Sequence, residues 1–183
     1  MKKNGFTLIE LLIAFIILGI ATAIAIPGFA RWLPGYRLKS ASRELYANMQ
    51  LAKMGAVKDN ADWAIVFNAG SNSYRICSDD GGDGDWKDGD EVEEKTVNLT
   101  NYESGVGYGH GNATNPIGGT FGGDNISYTP DNPSVAVFNP RGTGSGGYVY
   151  LQNNKNTTTY GVGTRTSGVI LLRKWNDSTS NWE

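Results

Sequence analysis

The sequence predicts an α+β protein: a long N-terminal helical stem, its first half able to span a membrane, packed on a β-rich globular head. Three observations carry this expectation. Phe6 to Ile26 is an apolar run of 21 residues. Leu38, Ala41, Leu45, Met49, Ala52 and Ala56 then recur at three- and four-residue spacing, the signature of one buried helix face. From about residue 60 onward the apolar residues fall in short β-branched and aromatic runs, separated by Gly, Asn and Pro. The expected segments are therefore 1–5, a short basic leader; 6–27, a spanning helix; 28–59, an amphipathic stem helix; and 60–183, the head.

The apolar run comes first. At about 1.5 Å per residue it makes a helix about 31 Å long, which matches the hydrocarbon thickness of a bilayer. Lys2 and Lys3 precede it, so its start is expected to face the cytoplasm. A secretory signal would have a shorter apolar core and a small-residue cleavage site behind it; here Pro27-Gly28-Phe29 follows. A plain anchor would explain the length but not Glu10, the one charge in the run. A charge inside a spanning segment costs about 2.5–3.5 kcal/mol by insertion scales, which marks Glu10 as a functional residue. Pro27 lacks a backbone donor and is expected to break the helix, by a kink or local melting.

Beyond it, the amphipathic stem is expected most clearly over 36–58, with Arg37, Lys39, Arg43, Glu44 and Lys53 off the apolar face. In the head, Trp63–Phe67 and Tyr74–Cys77 read as a hairpin. Val135–Phe138, Gly147–Leu151, Tyr160–Gly163 and Val169–Trp175 read as further strands. Charge is uneven. Residues 1–59 hold eight Lys/Arg against three acids, a net of +5, and residues 60–183 hold eight against fifteen, a net of −7. A basic stem with an acidic head is not the profile of a general nucleic-acid binder. The single cysteine, Cys77, excludes an internal disulfide and reads as a small buried hydrophobe.

Two segments between the strands stand out. Residues 79–94 hold nine acids and one lysine. Asp79, Asp83, Asp85, Asp88, Asp90 and Glu91 are candidate Ca²⁺ ligands there, because calcium takes six to eight oxygens from flexible loops. The spacing does not fit an EF-hand, and a solvated acidic hairpin tip is the plainer expectation. Residues 104–123 hold eight glycines and read as a mobile surface loop. His110 lies in it without a second histidine to share a metal. Nothing in the chain has the spacing of a catalytic constellation, so no enzyme and no cofactor of its own are expected.

The stretch Gly5-Phe6-Thr7-Leu8-Ile9-Glu10 resembles the cleavage and methylation motif of type IV prepilins: a short basic leader, Gly, the cleaved bond, Phe, and Glu as the fifth mature residue. The resemblance implies a pilin-like fold, a membrane prepilin peptidase cutting between Gly5 and Phe6, and methylation of the new Phe6 amine with S-adenosylmethionine used by that enzyme. It implies that Glu10 pairs with the N-terminal ammonium of a neighbouring subunit. It also implies a single-pass protein of the bacterial inner membrane, its head outside the cytoplasm, which then joins a filament of pilin or pseudopilin subunits.

Met49–Lys53 with Val57–Asn60, and Phe138-Asn139-Pro140-Arg141-Gly142 with Ser167-Gly168 before the last strand, further resemble the GspH/FimT group of minor pilins and type II secretion pseudopilins. An Arg often stands there where this chain has Lys53. Two rivals stay open, a major pilin and a FimT-like minor pilin that binds DNA for uptake. The DNA-binding members use a Gly-Arg-x-Arg pattern at the last strand. Here that place reads Gly168-Val169-Ile170-Leu171, leaving Arg165, Arg173 and Lys174 as candidate DNA contacts.

Overall fold

The computed structural model describes residues 5–128, 134–155 and 158–183. Lys2 and Lys3 lie outside the described residues, and so does the side chain of Asp79. The chain divides into two compact units, Met1–Leu33 and Pro34–Glu183.

One helix, α1, runs Leu8–Asp59 through both. It continues through Pro27, Gly28, Pro34 and Gly35, so the local melting expected as one outcome at Pro27 is corrected. A proline removes one intrahelical hydrogen bond and costs about 3 kcal/mol. Melting the flanking turns would free several more backbone groups, each costing several kcal/mol away from water.

In the first unit no other described residue of that unit packs on the helix. Its large apolar side chains, from Leu8 through Ile26, are all exposed. A helix apolar all round with nothing packed on it is stable only in lipid or among other protein chains.

In the second unit the helix buries Pro34, Leu38, Ala41, Ser42, Leu45, Asn48, Met49, Ala52, Gly55 and Ala56. All six residues of the expected apolar face are among them, each fully buried. Gly55 permits a close approach: a Cβ there would lie 2.5 Å from the Trp63 indole.

This face packs on two antiparallel sheets. The first contains β1 (Trp63–Asn68), β2 (Ser73–Asp79), β3 (Val92–Asn98) and β5 (Ser134–Phe138), in the order β3-β2-β1-β5. The second contains β4 (Gly107–Tyr108), β6 (Gly147–Gln152), β7 (Tyr160–Thr164), β8 (Ile170–Asn176) and β9 (Asn181–Trp182), in the order β4-β6-β7-β8-β9. The register sets Ile65 against Ile76 and Ala136, and Val162 against Val149 and Leu172.

Strand alternation divides β1 between two cores. Ile65 and Phe67 join the main cluster with Leu38, Leu45 and Met49 of α1. Ala64 and Val66 join a second cluster with Cys77, Val135 and Trp86. Cys77 is fully buried, and burial pushes its thiol up to about 11, so it is unreactive as expected.

Residues 104–123 differ from the mobile loop expected. His110 stacks on Phe121 at 4.2 Å, Phe121 meets Tyr150 edge-on at 4.9 Å, and Tyr150 meets Trp182 at 5.5 Å. The Ile117 N–H donates to the Tyr150 hydroxyl. The glycines admit the turns, and the few large side chains hold the loop onto the second sheet.

Candidate functional site

The N-terminal segment is built from Gly5 upward. Gly5 and Phe6 precede the helix and are exposed; Phe6 is 89% exposed, and nothing lies within 4 Å of where a Gly5 Cβ would sit. Among the described residues nothing covers the peptide bond between them.

The helix starts at Leu8, and Thr7 with Glu10 caps it reciprocally. The Glu10 N–H donates to Thr7 Oγ1 at 3.3 Å, while Glu10 Oε2 accepts from the Thr7 N–H at 2.9 Å and from its hydroxyl at 2.7 Å. This Thr-x-x-Glu capping box satisfies backbone donors that have no partner within the helix and places a carboxylate near the positive end of the helix dipole. Within one chain Glu10 thus already has two donors, both from Thr7. The Thr-x-x-Glu spacing that signals this cap stands in the sequence itself, at Thr7 and Glu10.

The acidic segment folds back over the first sheet. Trp86 is buried, and Arg75 donates to the Trp86 carbonyl at 3.2 Å and to Glu91 Oε1 at 2.5 Å. Among the described residues, only Asp83, Asp88 and Asp90 form a group of three or more potential ligands close enough for one ion, with oxygens all within 4.8 Å. Asp85 is not in that group; its N–H donates to Asp83 Oδ1. Glu91 lies outside that group: its side chain is 1% exposed and paired with Arg75, and its Oε2 has no hydrogen-bond partner among the described residues. The hydrogen bond with Asp88, then desolvation and the negative charges of Asp88, Asp83 and Glu91, push Asp90 up to about 6. The same hydrogen bond holds Asp88 below its usual range.

The candidate DNA contacts are not brought together. Arg165 lies in the tight β7–β8 turn, where its carbonyl accepts from the Gly168 N–H. Arg173 is the middle residue of β8 and Lys174 the next, opposite Gly161 and Tyr160. As neighbours on one strand, their side chains leave opposite faces.

Side-chain anchors between α1 and the sheets went unread in the sequence. Lys95 Nζ donates to Glu44 Oε1 at 2.8 Å and to Asn48 Oδ1 at 3.4 Å, Tyr102 donates to Glu44 Oε2, and Asn48 Nδ2 donates to Tyr74 Oη at 2.8 Å. The Lys95 and Tyr102 hydrogen bonds lower the Glu44 pKa. At the other end Lys53 Nζ donates to the Gly168 carbonyl at 2.8 Å, joining helix to second sheet. None of these pairs has a spacing signal, because the partners are far apart in sequence.

Two family models match the chain. The prokaryotic N-terminal methylation motif matches residues 1–26, and the type II transport protein GspH matches residues 41–168. The chain belongs to the GspH family. The GspH match begins on the buried face of α1 and passes through both the acidic and the glycine-rich segments, where residue-by-residue resemblance was not legible. It covers Lys53 and its acceptor Gly168, so the junction between helix and second sheet lies within the family domain. GspH proteins are structural pilin- or pseudopilin-type subunits rather than an enzyme family, and such subunits assemble with others in a filament. The exposed apolar helix with its methylation motif is the membrane anchor of that arrangement. No individual curated protein and no solved structure matches the chain.

Proposed function

We propose that the chain is a minor pilin or pseudopilin of a type IV pilus or type II secretion filament. On this reading prepilin peptidase cuts between Gly5 and Phe6 and methylates Phe6. The precursor crosses the bacterial inner membrane once, with its head outside the cytoplasm. The observation that carries the reading is the methylation motif set at an exposed Gly5–Phe6 bond, immediately before a capped and wholly uncovered apolar helix. The expected result is a filament-associated chain that begins at N-methylated Phe6, measured by intact mass. A chain that retains Met1–Gly5 in the filament would contradict the reading. The scattered basic residues and the head's net charge of −7 favour a structural subunit over a DNA receptor.

We also propose that the acidic loop takes up Ca²⁺ through Asp83, Asp88 and Asp90. The convergence of the three carboxylates supports it. Because the folded-state pKa of Asp90 is raised, Asp90 destabilises the fold increasingly as pH rises from the ordinary carboxylate range through about 6. A divalent cation offsets that repulsion. Millimolar calcium is therefore expected to raise the Tm of the detergent-solubilised chain at about pH 7.5, and to do so much less at about pH 5. Asp90→Asn is expected to raise the calcium-free Tm at about pH 7.5 and to remove the calcium response. Identical melting curves with calcium and with chelator at the higher pH would leave only a solvated loop.

A further inference from the structure

We propose that Phe29, Arg31 and Trp32 form an interfacial anchor, with Trp32 held in the headgroup layer of the leaflet nearer the head, fixing the depth at which α1 sits in the bilayer. The inference rests on membrane insertion, which is part of the function proposed above.

Length places these residues. The apolar run from Phe6 to Ile26 takes up about 30 Å, the whole hydrocarbon thickness. The headgroup regions add roughly 5–7 Å on each side. Phe29 lies three residues past the run, about 4.5 Å, and Trp32 six residues past it, about 9 Å. Helical side chains lean toward the N-terminus, so the Trp32 ring lies over the preceding turn and within the headgroup layer.

Chemistry fits the same place. Phe29 and Trp32 are one turn apart on one face, with ring centroids 5.9 Å apart, and they remain 61% and 56% exposed. Indole has an apolar body and a polar N–H, which suits the boundary between hydrocarbon and water. Arg31 beside them is exposed and suits lipid phosphates. The face continues directly from the uncovered apolar helix, so the same lipid that covers Leu8–Ile26 covers it. On leaving the bilayer for a filament, the chain must give up this headgroup contact.

The test uses the full chain reconstituted in phosphatidylcholine–phosphatidylglycerol vesicles. Tryptophan emission is measured with lipids carrying a quencher on the headgroup, on the acyl chain near the glycerol, or near the chain end. The expected result is quenching by the first two and none by the third. Trp32→Phe is expected to abolish the quenched component and leave the emission of Trp63, Trp86, Trp175 and Trp182. Strongest quenching from the chain ends would overturn the proposal by placing Trp32 deep in the hydrocarbon. Trp32 emission untouched by every lipid quencher, in a chain that floats with the vesicles after alkaline extraction, would also overturn it and assign this face to protein contacts. A chain that fails to float would overturn membrane insertion itself, and this inference with it.

Discussion

Glu10→Ala is expected to leave the chain in the membrane and to remove it from the filament. The substitution takes away the only charge in the 21-residue apolar run, so insertion becomes more favourable by about 2.5–3.5 kcal/mol on insertion scales. It also removes the acceptor for the Thr7 N–H and hydroxyl, which costs the helix start about 1 kcal/mol. If Glu10 pairs with a neighbour's N-terminal ammonium, the larger loss falls on assembly, where one uncompensated buried charge is left behind at a cost of about 3–5 kcal/mol. At that size incorporation falls by two orders of magnitude or more. Glu10→Gln separates the two roles, because glutamine retains an oxygen to accept from Thr7 but carries no charge. The measurement is the amount of each variant in the sheared filament fraction relative to the membrane fraction. Loss in both variants supports charge pairing. Full incorporation of the glutamine variant would show that capping is the role of Glu10 and would end the pairing reading.

Gly168→Ala is expected to be among the most destabilising single-methyl changes in the head. Gly168 has φ +76°, a backbone conformation that costs other residues roughly 1–2 kcal/mol. A Cβ there would lie 1.8 Å from the Gly142 carbonyl oxygen. That contact is with backbone, so the Asn139–Gly142 turn or the Arg165–Gly168 turn must move. Moving the second shifts the carbonyl that Lys53 holds from α1. Together these cost about 2–4 kcal/mol, a fall in Tm of roughly 5–15 °C for a chain of this size. Gly70→Ala is the control: φ is not positive there, and its Cβ would meet only the Asn68 side chain at 3.4 Å. Equal melting temperatures for Gly168→Ala and the parent protein would mean that the two turns are free to separate.

The sequence alone determined the parts governed by local period and length. The 21-residue apolar run implied a spanning helix because hydrocarbon thickness and helical rise are fixed quantities. Leu38 through Ala56 announced a buried face because the 3.6-residue period repeats over several turns without help from distant residues. The main strands of the head were legible for the same reason, through runs of Val, Ile, Phe and Tyr between turn residues. The motif at Gly5 to Glu10 was legible because it occupies one contiguous stretch, which no distant residue has to complete.

Tertiary structure alone decided what depends on who lies opposite whom. Strand β3, Val92-Glu93-Glu94-Lys95-Thr96-Val97-Asn98, does not look like a strand because it is an edge whose charged side chains stay in water, and only β2 draws it into the sheet. Glycine content suggested a loose loop at 104–123, yet Ile117 and Phe121 dock on Tyr150, about thirty residues further along the chain, and His110 stacks on Phe121. Carboxylate density proposed six calcium ligands, and the fold sorted them. Trp86 is buried, Glu91 turns inward to Arg75, and Asp83, Asp88 and Asp90 are left facing one another. The continuity of α1 across Pro27 was decided the same way, because one missing hydrogen bond costs less than the several that a break would expose.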